Sequence, residues 1–448
     1  MRKKEDCLFL RDYKWEYPEI EYGKGVYLYD TEGREYIDAC AGAAAANLGH
    51  GSGEIAQVMA EQAKRVAFTH LSRFVTRPAY ELAEKVAEMT PADLNYVYFV
   101  SGGSEATETA IKLCRQYFLE RDGVTSKYKI ISRWRSYHGN TIGSLSLSGK
   151  PDLRKKYGPL LLDFPHITPA YCYRCEYGLT CDKCGSRCAW DLEKAILREG
   201  PENVAGFIAE PITGSAAPGA YPVKDYYKIV REICDKYDIL FISDEVMNGF
   251  GRTGTNFGID NFDVIPDIMC IAKGISSGYS PLGGAVVSEK IISVFRKGSG
   301  SFTHGHTYGG NPLSCAVGSV VLDIIKRDGI VENSKRMGEL LKAKLQNEIG
   351  SHAIVGDIRG MGLQLGVEFV KDKNTKEPFE KSVNLKSKLT KRGLENGIVL
   401  YPGGGSADTV RGDHILLTPP LNISEAHVDE IVVKLKKTIE DVSRNIFD

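Results

Sequence analysis

No apolar run in the 448-residue sequence approaches the roughly 20 residues that are needed to cross a bilayer. Net charge is also nearly absent: the formal value is -1, so no overall field attracts nucleic acid or an anionic membrane surface. Residues 1–6 are charged, and no secretory apolar region follows them. These absences predict a soluble, cytoplasmic protein whose partner is a small molecule.

Internal repeats and low-complexity linkers are absent too. A hydrophobic content of 42% over this length can bury a large core in two or three structural domains. We expect a large domain at residues 65–325. A second, smaller domain is expected from residues 1–64 together with residues 326–448.

The middle of the chain repeats a short apolar run, a polar or glycine-containing turn and a helical pattern. This alternation predicts a mainly parallel sheet covered by helices. The apolar runs are residues 96–100, 128–132, 204–209, 239–243 and 268–272, and two later amphipathic helices are expected at 331–348 and 425–442. Ligands of such sheets bind beyond the carboxyl ends of the strands, so the polar groups after the five runs are expected to converge on one site.

After the first run, Gly102, Gly103 and Ser104 leave a strand and open a helix. Free N–H groups at a helix start, together with a serine hydroxyl, suit a phosphate. A glycine turn capped by serine is also ordinary punctuation between elements, so this segment alone leaves both interpretations open.

Asp244 comes directly after the run 239–243, at the end of the predicted strand, where a carboxylate would face the predicted site. A buried aspartate needs a positive partner, and a protonated pyridine nitrogen would be one. Such a ring withdraws electrons from a carbanion at a substrate carbon. The alternative is an aspartate that caps a loop.

Lys273 lies where the run 268–272 breaks into a glycine-containing turn. Lysines usually lie on solvated faces. Burial directly after an apolar strand lowers the pKa of a lysine and makes its neutral amine available to form a Schiff base.

At this point the sequence resembles the class III (ω-amino acid) aminotransferases, which depend on pyridoxal 5′-phosphate (PLP) and have fold type I. The matching motifs run through nearly the whole chain in order: GHG (49–51), SGGSEA (101–106), YHG (137–139), EP (210–211), DEV (244–246), GFGRTG (249–254), KG (273–274), HTYGGNP (306–312) and TPPL (418–421). The resemblance implies an α/β large domain with a mainly parallel, seven-stranded sheet, and a small α+β domain built from both chain ends.

The resemblance also implies roles for individual residues. Lys273 would bind PLP as a Schiff base and then move the proton, acting as general base and acid. Asp244 would pair with the pyridine nitrogen, Tyr137 would stack on one ring face and Val246 would pack against the other. Gly103 and Ser104 would hold the phosphate.

Further roles concern the rim of the site. Thr307 would reach the phosphate of the neighbouring subunit, so the family likeness implies a homodimer or a tetramer of two dimers. Glu210 would lie near the ring hydroxyl or gate the substrate carboxylate, and His138 would either support the ring or be an ordinary buried histidine. Arg411 matches a mobile arginine that binds the substrate carboxylate, although a surface ion pair is the alternative.

Five of the eleven cysteines crowd into residues 172–188, as two C-x-x-C pairs and a fifth thiol. In a reducing compartment this pattern indicates a metal site before a disulfide framework, with zinc favoured over an iron–sulfur cluster. The resemblance favours Cys172, Cys175, Cys184 and Cys188 as ligands, with Cys181 as the alternative. Oxidation to disulfides and free thiols remain open.

Three kinds of function are therefore weighed. The first is transamination from an amino acid or ω-amine to a keto acid such as pyruvate or 2-oxoglutarate; β-alanine, γ-aminobutyrate, taurine, diamines and α-amino acids are all candidate donors. The second is a PLP-dependent epimerase or aminomutase, which would not leave its cofactor in the aminated form. The third, a metal or nucleic-acid module built on the cysteines, lacks the basic composition that it needs.

Overall fold

The computed structural model describes residues 7–447, so the charged start at residues 1–6 lies outside the described residues. Its strands are β1 (Ile20–Lys24), β2 (Tyr27–Asp30), β3 (Glu35–Asp38), β4 (Tyr96–Val100), β5 (Lys129–Arg133), β6 (His166–Ile167), β7 (Val204–Ala209), β8 (Leu240–Asp244), β9 (Ile268–Ala272), β10 (Gly283–Val287), β11 (Val355–Met361), β12 (Gln364–Phe369), β13 (Ile398–Val399), β14 (Tyr401–Gly403) and β15 (His414–Leu417).

The helices surround three sheets. They are α1 (Ala41–Ala44), α2 (Gly53–Arg65), α3 (Arg77–Met89), α4 (Gly103–Asp122), α5 (Ile142–Leu147), α6 (Pro151–Arg154), α7 (Asp191–Glu199), α8 (Tyr226–Lys236), α9 (Glu289–Lys297), α10 (Pro312–Arg327), α11 (Ile330–Ile349), α12 (Leu385–Glu395) and α13 (Glu425–Phe447). No helix among these described residues is long and apolar enough to span a membrane.

The central sheet has seven strands in the order β4-β10-β9-β8-β7-β5-β6. Strand β10 runs antiparallel to both of its neighbours, and the other six strands share one direction. The predicted α/β fold with a mainly parallel, seven-stranded sheet is therefore confirmed. All six carboxyl ends lie on one edge of the sheet, which is where a ligand of such a sheet binds.

Burial on both faces explains why the central strands read as continuous apolar runs. Side chains alternate between faces: Phe207 and Phe241 belong to one core cluster, whereas Ile208 and Ile242 belong to the other. Helix α4 packs across β9 and β10 on the second face. The sheet is thus a rigid platform for the loops at its carboxyl edge.

Two smaller sheets accompany the central one. In the order β1-β2-β3-β13, the N-terminal strands pair with a strand from the C-terminal part, and β3 and β13 are parallel. The other sheet has the antiparallel order β11-β12-β15-β14. This joining of both chain ends agrees with the predicted α+β part, and the domain boundaries themselves stay a prediction.

Candidate active site

The loops after β4 and β5 meet at the start of α4. The amide of Asn140 donates to Oγ of Ser104 over 3.0 Å. Gly139 has a φ of +136°, and a Cβ there would lie 2.6 Å from Oγ of Ser104. Only glycine allows the backbone at position 139 to lie this close to Ser104, because any side chain there would clash with the serine hydroxyl. The first backbone amides of α4, a 20-residue helix, therefore lie beside the Ser104 hydroxyl.

Val246 lies directly against this helix start. A Cβ on Gly103 would lie 2.6 Å from Cγ1 of Val246, so the two residues are in van der Waals contact. The residue predicted to pack on a ring face and the residue predicted to hold a phosphate are therefore neighbours. A side chain at position 103 would push Val246 out of place.

Asp244 is the last residue of β8 and is only 3% exposed. Its Oδ2 lies 2.6 Å from Nδ1 of His138, and its Oδ1 accepts from the amide of Val246 over 3.1 Å. His138 is itself buried, and its ring fixes the orientation of the carboxylate. A carboxylate has about four acceptor positions, so Asp244 can accept a further donor.

Glu210 is buried after β7 and accepts two backbone hydrogen bonds. The amide of Tyr137 donates to Oε1 over 2.9 Å, and the amide of Gly214 donates to Oε2 over 2.8 Å. Burial raises the pKa of Glu210. Each carboxylate oxygen accepts from one of the loops that carry Tyr137 and Gly214, so Glu210 positions these loops relative to each other.

Lys273 follows β9 with a φ of +51°, in the left-handed region that a non-glycine residue rarely adopts. Burial lowers the pKa of its amine to about 8, against the opposing effects of Asp244 and Glu210. About a tenth of the amine is therefore neutral at pH 7, far more than for an ordinary lysine, and the neutral form is the one that a nucleophile or a general base requires. An uncommon backbone conformation at such a residue is a frequent feature of functional sites.

The two predicted rim residues are Thr307 and Arg411. Thr307 is exposed, as is the adjacent Tyr308. The guanidinium of Arg411 is engaged by two carboxylates, with Nη1 2.7 Å from Oε1 of Glu380 and Nε 2.7 Å from Oδ2 of Asp408. The structure thus shows the surface ion pairs that were the alternative for Arg411.

The cysteine segment does not support the predicted metal site. Across residues 7–447, no three His, Cys, Asp or Glu side chains are placed to hold a metal ion. Cys172, Cys175, Cys181, Cys184 and Cys188 are free thiols that line one cavity of about 20 Å³. Short 3-10 turns at Cys172–Arg174 and Arg187–Ala189 fix the segment, and burial raises the pKa of Cys172 and Cys188.

Sequence reasoning missed several residues near the site. Tyr401 packs with Met247 in a small apolar cluster, and a Cβ on Gly214 would lie 2.6 Å from Sδ of Met247. Lys150 and Arg135 lie on the loops beside Tyr137. Their only signal in the sequence was their closeness to the YHG motif. Closeness along the chain does not indicate which groups the end of a long side chain contacts.

The residues present fit PLP. The amides and hydroxyl at the start of α4 suit its phosphate, the buried Asp244 carboxylate suits its ring nitrogen, and the Lys273 amine suits its aldehyde. Together with the seven-stranded sheet, this arrangement defines a PLP enzyme of fold type I.

The comparisons with known proteins narrow the class to a family. The profile of the family "Aminotransferase class-III" matches residues 13–439, so the chain belongs to the class III aminotransferases and is a PLP-dependent transaminase. The chain is 37% identical to the putrescine–pyruvate aminotransferase of Pseudomonas aeruginosa over 95% of this chain and 91% of that protein. It is 37% identical to the uncharacterized aminotransferase YodT of Bacillus subtilis, over 96% of each.

Solved structures agree with the sequence comparison. A transaminase from the marine bacterium Virgibacillus superposes with a TM-score of 0.90 at 39% identity, over 97% of this chain and 95% of that one. The family and fold implied by the sequence resemblance are therefore confirmed.

Proposed function

We propose that Lys273 holds PLP and moves the proton during transfer of an amino group from an amino acid or an ω-amine to a keto acid such as pyruvate or 2-oxoglutarate. The observation that carries this assignment is the convergence of the Lys273 amine, the Asp244 carboxylate and the α4 start at one sheet edge. A relative is named for putrescine and pyruvate, which supports an amine donor and a keto acid acceptor here.

When bound, PLP supplies a ring that withdraws electrons from the substrate carbon. Each residue of the chain then has a separate task. Asp244 would pair with the ring nitrogen and keep it protonated, while His138 holds the carboxylate in place. The Lys273 amine, neutral in part because burial lowers its pKa to about 8, takes a proton from the substrate carbon and returns it.

The remaining assigned residues orient the cofactor. Gly103 and Ser104 would hold the phosphate with backbone and hydroxyl donors, and Tyr137 and Val246 would pack against the ring. Glu210 holds the Tyr137 and Gly214 loops through one amide of each, and it would lie near the ring hydroxyl or gate the substrate carboxylate. Arg411 contacts a substrate carboxylate only after it leaves Asp408 and Glu380.

The active unit in this proposal is a homodimer. A face around Thr307 exposes large apolar side chains: Phe68 at 44%, Phe74 at 67%, Tyr80 at 62% and Tyr308 at 62%. The groove of about 510 Å³ beside them is lined mainly by apolar residues, including Val75 and Tyr80. Contiguous apolar surface of this kind marks a protein–protein interface. A second copy on this face would bring its own Thr307 towards the neighbouring site. Assembly of two such dimers into a tetramer stays a prediction. The cytoplasmic location also stays a prediction.

The half-reaction tests the proposal. Purified protein with PLP is given one amino donor at a time without a keto acid. A transaminase converts the cofactor to pyridoxamine phosphate with loss of its visible absorbance, and a keto acid then restores the band. Racemised or rearranged donor without net conversion of the cofactor would instead indicate an epimerase or an aminomutase.

A further inference from the structure

The cysteine segment, residues 172–188, has no task in the proposed transamination. All five of its thiol side chains nevertheless line the same cavity, together with Tyr171, Arg187 and Pro222. The cavity has a volume of about 20 Å³, which is room for roughly one molecule of the size of water. Thiols that share so small a space are near enough to react with one another once one of them is oxidised.

Within this segment, Cys172 and Cys181 are the pair best placed to react. The thiol of Cys172 lies within hydrogen-bonding reach of the sulfur of Cys181, and both are free thiols in the structure. Cys172 begins the short 3-10 turn Cys172–Arg174, and Cys181 lies in a turn as well. Rotation about the Cα–Cβ bonds can therefore bring the two sulfurs to bonding distance without breaking a helix or a strand.

The two thiols differ in their access to solvent. Cys181 is exposed, whereas Cys172 is half-buried, and this burial raises the pKa of Cys172. Oxidation-sensing sites often place an accessible thiol, which meets the oxidant, beside a second thiol that resolves the product. Arg187 lines the same cavity, and a nearby cation favours the thiolate that attacks an oxidant. This arrangement makes Cys181 the thiol that meets the oxidant and Cys172 the resolving thiol.

Two of the other thiols are placed less well for a bond to Cys181. Cys188 lies in the turn Arg187–Ala189, which packs against helices α7 and α8, so its backbone is held from two sides. Sγ of Cys184 donates to the backbone carbonyl of Cys181 over 3.5 Å, so this thiol faces the main chain of Cys181. These contacts favour Cys172 over Cys184 and Cys188 as the partner of Cys181, and Cys175 is distinguished by experiment below.

We propose that the cysteine segment is a site of oxidation by hydrogen peroxide, in which Cys181 and Cys172 form a reversible disulfide. The thiolate of Cys181 attacks one peroxide oxygen, the O–O bond breaks, and the sulfur becomes a sulfenic acid while the departing hydroxide takes the thiol proton and leaves as water. The sulfur of Cys172 then attacks the sulfenic sulfur, and its proton leaves with the hydroxyl group as a second water. A dithiol reductant reverses the bond by exchange.

The test is mass spectrometry of the PLP-loaded protein after treatment with a small excess of hydrogen peroxide. The wild type is expected to lose the mass of two hydrogen atoms and to regain it with dithiothreitol. Trypsin cuts after Arg174, so Cys172 falls on one peptide, and Cys175 and Cys181 fall together on the next. The disulfide should therefore join these two peptides, and it should persist in Cys175→Ser, which leaves Cys181 as the only thiol of the second peptide.

Two variants show whether Cys181 meets the oxidant. Cys181→Ser should form no cross-link to Cys172, because the accessible thiol has been removed. Its circular dichroism and PLP absorbance should match those of the wild type, since the side chain at this position is exposed. Cys7→Ser is the matched control: Cys7 is also an exposed free cysteine but lies outside the segment, so this variant should form the cross-link as the wild type does.

Several results would overturn the proposal. Addition of oxygen atoms to Cys181 without a cross-link would show that Cys172 does not resolve the sulfenic acid. A cross-link that persists in Cys181→Ser, or that disappears in a folded Cys175→Ser, would assign the reaction to a different pair. Thiols that react with peroxide only after a chelator has released zinc would show that the segment is a metal site instead.

Discussion

Replacing Asp244 by asparagine tests the proposed electron-withdrawing role of the site. Asparagine has nearly the same shape, and one of its oxygen positions becomes an NH₂ group without charge. The wild-type carboxylate is 3% exposed and already accepts from His138 over 2.6 Å and from Val246 over 3.1 Å. The backbone bond can survive the substitution, whereas the charge that keeps a ring nitrogen protonated cannot.

The expected magnitude follows from this burial. Removing one partner of a buried ion pair costs about 3–5 kcal/mol. At 1.36 kcal/mol for each factor of ten, the amino-transfer rate should fall about 10²- to 10⁴-fold if the full cost is felt in the transition state. PLP should still bind, because Lys273 and the α4 start are unchanged.

The assay is a single-turnover half-reaction followed by absorbance in a stopped-flow instrument. Asp267→Asn is the matched control: Asp267 is a buried aspartate at the opposite end of β9 from Lys273, ion-paired with Arg231 and Lys290. It should lower thermal stability and leave the rate within about threefold of the wild type. A rate for Asp244→Asn within about tenfold of the wild type, with PLP bound, would refute the assigned role.

Two further predictions concern the lysine and the dimer. Only the neutral amine attacks the PLP aldehyde, and burial lowers the pKa of Lys273 to about 8. The rate at which cofactor-free protein captures PLP should therefore rise with pH and level off just above pH 8. A rate that keeps rising towards pH 10.5, the ordinary pKa of a lysine, would contradict the effect of burial. Tyr80→Asp places a charge on the exposed apolar face, so light scattering should show monomers. Their transaminase activity should be lower than that of the wild type by a factor of about ten or more. A monomer as active as the wild type would remove the basis for a role of Thr307 in the neighbouring site.

Local sequence pattern was sufficient for the strands that carry the site. Strands β4, β7 and β9 begin and end where the apolar runs do, because strands that are buried on both faces must be apolar throughout. Strands β5 and β8 are each shifted by one residue towards the C-terminus relative to their apolar runs. Strand β8 therefore includes Asp244, so this carboxylate lies within the sheet edge rather than after it. The antiparallel strand β10 was not foreseen, since direction within a sheet depends on chain connections rather than on composition.

Side-chain contacts between distant segments were harder to predict. The C-x-x-C spacing of residues 172–188 predicted a metal site, but spacing does not determine which way each thiol points after the chain turns. Arg135 and Lys150 come together only because the loop after β5 folds back on the segment after α5, where the amide of Arg135 donates to the carbonyl of Gly149 over 2.7 Å. A linear motif does not indicate which contacts a long, flexible side chain makes after the chain folds.

Identification of the lysine that holds PLP is the most direct test of the whole account. The purified protein is treated with borohydride, which fixes the cofactor to its lysine, and is then digested and analysed by mass spectrometry. The added mass is expected on the peptide that contains Lys273, and a Lys273→Ala variant that still folds is expected to lack it. The added mass on any other lysine, or full transaminase activity in Lys273→Ala, would contradict the account.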